Sequence, residues 1–226
     1  MHSEIARRGV GLPRDTHAVT ADTMALAAQE RAELADFLAG LTPQQWRTPS
    51  LCTGWTVHDV VAHVVSYEEH GRGEVFRRLV RARLRPGQLN DVGKAEYATL
   101  ESAELVEFLR AHLRPRGMTA SLGGGVGLVD ALIHHQDIRR PLGMPRTIPS
   151  ERLLPALRIA ITAPPLRGFW NARGVRLVAT DLEWTRGSGP EAHGEAEALL
   201  MALAGRAGVA RELTGPGAST LVRRLG

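Results

Sequence analysis

Cysteine, lysine, aromatic residues and long apolar runs are all scarce in this chain, and each shortage closes a class of explanation. Cys52 is the single cysteine in 226 residues, so no intrachain disulfide can form, and a cytoplasmic location is expected. Lys94 is the sole lysine among 28 basic residues; the excess of Arg, Ala and Gly has the look of GC-rich coding rather than of a phosphate-binding surface. Aromatics make up 4% of the chain and no dense basic tract is interleaved with them, so nucleic acid is not an expected partner. The first twenty residues hold Arg7, Arg8, Arg14 and Asp15 but no apolar signal segment, and no stretch reaches the roughly 18 apolar residues of a membrane span. Export and a membrane partner are therefore not expected either.

What is present is a soluble, globular composition, 43% hydrophobic and 23% charged, in a chain long enough for one domain and a smaller second one. Residues 1–20, with Gly9, Gly11 and Pro13, read as an extended leader. Residues 21–41 read as a first helix with Leu26, Leu34, Phe37, Leu38 and Leu41 inward, followed by one short turn at Thr42-Pro43-Gln44-Gln45-Trp46. Helices are also expected over residues 95–113 and 150–162, and an Arg-rich helix end over 74–85. Ala163-Pro164-Pro165 marks a boundary between a helical domain, 21–165, and a small α/β unit, 166–226. In that unit 174–180 and 182–185 read as two strands closed by Gly187-Ser-Gly189-Pro190, before an Ala/Leu-rich helix over 194–205 and a last short helix through Leu225.

Two stretches carry the chemistry. In Cys52-Thr-Gly-Trp-Thr-Val-His-Asp-Val-Val-Ala-His63-Val-Val, Thr56 can cap a helix whose apolar face is Val57, Val60, Val61, Val64 and Val65. His63 flanks that face, and Tyr67, His70 and Glu74 continue from it at helical spacing, while His58, about 140° away, is expected to face solvent. In Asp130-Ala-Leu-Ile-His134-His-Gln-Asp137-Ile-Arg139-Arg140, Asp130, His134 and Asp137 share one helical face, with His135 off it. Such a polar stripe needs a partner for its charges, and a divalent metal is one; a simple i,i+4 pair on a solvated face is the other reading. The run Gly123-Gly-Gly-Val-Gly127 lacks the Lys-Ser/Thr of a phosphate loop, so it reads as a close backbone approach or a flexible entry to the following helix.

On these two stretches, together with Leu177-Val-Ala-Thr-Asp-Leu-Glu-Trp184 and Leu203-Ala-Gly-Arg206, the chain resembles the mycothiol-dependent maleylpyruvate isomerase family over roughly residues 22 to 226. The resemblance implies a mainly α fold, a DinB-like four-helix bundle followed by a small α/β C-terminal domain. It places His63, Asp130 and His134 at the family's His, Glu and His metal ligands, Asp130 being one methylene shorter than the family's Glu. It further implies Zn²⁺ or another divalent metal, mycothiol as thiol cosubstrate, and a small electrophile as acceptor. Tyr67, His70 and Arg206 are then candidate catalytic residues, Arg206 as a carboxylate binder from the C-terminal domain, and Arg139 and Arg140 are candidates for holding the thiol. Asp137 reads as an acceptor behind His134, as a substitute ligand, or as a partner of Arg139 or Arg140. A monomer or homodimer is expected. A non-catalytic binding module and a metal hydrolase stand as the alternative functions.

Overall fold

A computed structural model describes residues 16–68, 94–162 and 167–226. The expected Arg-rich helix end at 74–85, His70 and the boundary at 163–165 lie outside the described residues.

Helix α1, Thr16–Ala39, begins five residues earlier than the sequence suggests. The breakers Gly11 and Pro13 lie upstream of Thr16, and nothing between Thr16 and Thr20 opposes a helix. After the single turn α2, Pro43–Trp46, Thr56 caps α3, Val57–Val65. The cap is reciprocal: the Asp59 backbone N–H donates to Thr56 Oγ1 at 3.2 Å, and the Thr56 N–H to Asp59 Oδ2 at 2.9 Å. The expected third helix is a turn at 94–97 and then α4, Ser102–Ala111, followed by α5, Gly125–Arg139, and α6, Ser150–Thr162.

Helices α1, α3, α4 and α5 close a ring in which each packs against two neighbours, giving the four-helix bundle. Its interior holds Leu34, Leu38, Val57, Val60, Val61, Val64, Leu105, Leu109 and Ile138, so the valine face read from the sequence is the buried face of α3. Against expectation His58 does not face solvent: it lies beside Trp46, with Nε2 2.8 Å from the Leu100 carbonyl oxygen. The larger departure is α5, which is buried on nearly every side because α1 and α3 cover one flank and α6 the other.

The C-terminal layer starts with the short helix α7, Gly168–Ala172, and contains three strands, not two: β1, Arg176–Ala179; β2, Thr185–Gly187; β3, Glu191–Gly194. Their order is β2-β1-β3, with β1 antiparallel to β2 (Leu177 opposite Arg186) and parallel to β3 (Leu177 opposite Ala192). Helix α8, Ala196–Leu203, whose first N–H is capped by Asp181 Oδ1 at 2.8 Å, packs on β1 and on α6; the short helices α9, Ala207–Ala210, and α10, Ala218–Leu225, complete the layer. One apolar core runs through Leu132, Leu157, Leu177 and Leu199, so α6 is shared between the bundle and the sheet layer. No helix of the described residues is long and apolar enough to cross a membrane.

The glycine run serves as a close approach. Gly124 has φ +88°, and a Cβ there would stand 2.7 Å from the Met24 Cα of α1. Gly124→Ala therefore adds left-handed backbone strain to a backbone clash and is expected to cost about 2–4 kcal/mol, read as a lower denaturation midpoint with unchanged slope.

Candidate metal centre

Helix α3 delivers His63 and helix α5 delivers Asp130 and His134 to one buried point. The side chains of these three offer ligand atoms that all lie within 4.8 Å of one another. His134 Nε2 and Asp130 Oδ1 are 3.6 Å apart, close to the roughly 3.4 Å that separates tetrahedral ligands on bonds of about 2.1 Å. Two polar atoms in this trio, His63 Nδ1 and Asp130 Oδ2, are buried without a hydrogen-bond partner. A buried unpaired polar atom is costly, and a cation held by the trio is one way to satisfy such atoms. The donor set, two imidazoles and a carboxylate, suits Zn²⁺ and related divalent metals.

Aromatic rings wall the site. The His63 ring lies 5.1 Å from Trp55, 5.2 Å from Tyr67 edge-on, and 4.9 Å from His134 edge-on, centroid to centroid. Burial, with the charges of His134 and Arg206, holds His63 well below the ordinary imidazole range, so it presents a neutral ring. Asp130 is pushed up by burial. For His134, burial alone would lower it, but hydrogen bonds to Asp137 and Cys52 and the charge of Asp130 outweigh burial and raise it to about 10.

Behind His134 stands a second cluster. Asp137, fully buried, has Oδ2 2.9 Å from His134 Nδ1, and the thiol of Cys52 donates to the same oxygen at 3.2 Å. Arg206 reaches in from the C-terminal layer, its Nε 2.8 Å from Oδ1 and its Nη2 2.5 Å from Oδ2. Burial would raise the Asp137 carboxyl, but the hydrogen bonds of Arg206 and His134 hold it well below the usual carboxylate range. Cys52, His134 and Asp137 also offer ligand atoms within 4.8 Å of one another. A cation there would face the Arg206 guanidinium, whose Nη2 lies 3.4 Å from Cys52 Sγ and which already neutralises Asp137. Electrostatics thus favours His63, Asp130 and His134 as the metal-holding set.

Among the residues singled out from sequence, the structure brings together His63, Asp130 and His134, places Tyr67 against His63, and puts Arg206 on Asp137 rather than on an open surface. Arg139 and Arg140 are not brought to the trio. They project roughly 120–140° around α5 from His134 and line a separate cleft of about 580 Å³. Arg140 there pairs with Glu197 and Glu212, and Arg139 donates to His135 Nε2 and stacks on Phe37. Asp137 accordingly pairs with neither of these arginines. Cys52 lies before a helix start, and no local pattern signals that its loop folds back on α5 through the Leu51 N–H to Asp137 carbonyl bond of 3.0 Å.

A His–Asp–His trio inside a four-helix bundle, backed by a small α/β layer, makes a helical protein with a candidate metal centre and a C-terminal α/β domain. Residues 27–123 match the family model described as mycothiol maleylpyruvate isomerase N-terminal domain, a span that includes His63 and stops short of Asp130. Residues 27–123 are thus similar to that N-terminal domain, and over the rest of the chain solved structures show a shared fold. A crystal structure of the mycothiol-dependent maleylpyruvate isomerase is similar at 17% identity and a TM-score of 0.60, over 89% of this chain and 95% of that one. A histidine-to-alanine mutant of that isomerase is similar at 16% identity, with the same coverage and TM-score. No curated protein matches the sequence.

Proposed function

We propose that the protein is a metal-dependent thiol transferase or isomerase that activates a low-molecular-weight thiol, mycothiol, for attack on a small electrophile. The observation that carries this reading is the pair of unpartnered buried atoms, His63 Nδ1 and Asp130 Oδ2, in one trio with His134. His63, Asp130 and His134 would hold the metal, with Zn²⁺ the best match to two nitrogens and one oxygen. A divalent cation bound there supplies a Lewis acid that lowers the pKa of a thiol and keeps it as thiolate at neutral pH.

The chain's own residues do the rest. His134 keeps a proton on Nδ1 for Asp137, which leaves Nε2 directed toward Asp130. Trp55 and Tyr67 cover the His63 ring. Tyr67, buried and edge-on to His63, would orient the acceptor or pass it a proton. Addition of the thiol to an activated double bond, rotation and elimination isomerise the acceptor; addition without elimination gives a conjugate.

The test uses untagged protein, elemental analysis and a generic electrophile assay. The expected result is about one divalent metal per chain and turnover that requires added thiol. Protein with no stoichiometric metal and unchanged stability in chelator would point to a binding module instead, and thiol-independent turnover to a metal hydrolase.

A further inference from the structure

Arg206 has almost no capacity left for a substrate. It sits in the turn that ends α8, where Gly205 takes φ +87° and the Arg206 N–H donates to the Met201 carbonyl at 3.0 Å. Its Nη1 donates to the Ala204 carbonyl at 2.8 Å, Nε and Nη2 grip both oxygens of Asp137, and Nη2 also lies against Cys52 Sγ. This fork-on-fork geometry fixes the plane of the Asp137 carboxylate. Asp137 is further anchored through its carbonyl, which accepts from Leu51 N–H. Three segments distant in sequence therefore meet on one buried carboxylate: the loop before α3, helix α5 and the turn after α8.

We infer that Asp137 and Arg206 form a positioning pair that fixes the tautomer and ring orientation of His134, so that the C-terminal layer sets the metal affinity of the bundle. This rests on the metal-binding reading above. A neutral imidazole has one donor nitrogen and one acceptor, and the hydrogen bond made by one decides the state of the other. Asp137 can only accept, so it holds the proton on Nδ1, and once a metal displaces the proton from Nε2 the lone pair there faces Asp130. A carboxylate behind a ligand histidine also raises the histidine's basicity. Arg206 makes that carboxylate tolerable: Asp137 is fully buried, and without the guanidinium its charge lacks a full counter-ion. The guanidinium and its fork plane thus act on the metal through two intervening side chains.

The experiment is Zn²⁺ binding to the full chain by competition with a chromophoric chelator, alongside the unfolding midpoint of the metal-free protein and steady-state kinetics. Asp137→Asn is expected to weaken Zn²⁺ by about 10–100-fold. Arg206→Gln is expected to weaken it in the same direction, Arg206→Lys less so, and the Asp137→Asn/Arg206→Gln double variant no more than Asp137→Asn alone, since the two residues act as one unit. The kinetic loss should fall on carboxylated and uncharged electrophiles alike. Zn²⁺ affinity within about twofold of wild type in Arg206→Gln, with KM raised only for carboxylated electrophiles, would overturn the inference and return Arg206 to substrate binding. A wild-type chain that binds no Zn²⁺ would overturn this inference and the metal-dependent function together, whereas normal wild-type binding with unaffected variants would remove only the former. Should Asp137→Asn not fold, the Arg206→Gln and Arg206→Lys affinities decide the matter alone.

Discussion

His134→Ala is expected to emerge from purification with no stoichiometric divalent metal and with thiol-dependent turnover reduced by more than about 100-fold, since loss of a direct ligand exceeds the 10–100-fold typical of an outer partner. His63→Ala should behave the same way. The bundle should survive both changes. His63 stands at the edge of the valine face of α3 rather than at its centre, and truncating His134 leaves Asp137 paired to Arg206 in its usual place. Cys52→Ala supplies the contrast, because Cys52 belongs only to the trio that faces Arg206. It should retain its metal. Elemental analysis beside circular dichroism reads all three variants; a folded His63→Ala that keeps full metal, or a Cys52→Ala that loses it, would assign the ion to the wrong three residues.

How much of this centre could be read in the chain differs residue by residue, for a physical reason. His63 and the valine face of α3 were legible because cap, apolar spacing and flanking polar stripe are all local. Asp130, His134 and Asp137 were legible as one face of one helix, again a local property. That His63 meets them is a matter of how α3 crosses α5, which no local pattern specifies. Arg206 on Asp137 spans 69 residues and two layers of structure, and no local pattern around Arg206 points to a buried carboxylate on α5. The missed strand β3 follows the same rule. Its sequence, Glu-Ala-His-Gly, has little β propensity, and it is a strand because β1 offers a parallel edge on the side away from β2. The all-round burial of α5 also escaped, since a helix sandwiched between two layers carries no one-sided apolar stripe to read.

Glu30→Ala is expected to cost about 3–5 kcal/mol of folding stability, the largest single effect outside the metal site. Glu30 in α1 is fully buried and has three cationic or polar partners from elsewhere: His135 Nδ1 at 2.9 Å, Arg152 Nη1 at 3.0 Å, and Arg146. Removing the carboxylate strands Arg152, itself almost fully buried, and leaves His135 Nδ1 without an acceptor, while Glu33 retains only the half-exposed share of the pairing. Glu30→Gln should recover part of the loss by still accepting from His135. The same cluster sets a pH dependence. Burial, aided by the nearby arginine charges and opposed by Glu30, lowers His135 to about 4, so the folded chain refuses a proton that the unfolded chain takes up near 6.5. Between those two values the unfolded state binds more protons, and stability from this group is complete above about 6.5 and declines as the pH falls toward about 4. Glu30, held below its ordinary range by His135 and Arg146 against its own burial, extends the decline in the same direction at lower pH. Denaturant titrations at successive pH values should therefore show a midpoint that falls through the mildly acidic range, and a flat profile across it would mean that His135 is protonated in the folded protein and that Glu30 and His135 are held together as an ion pair.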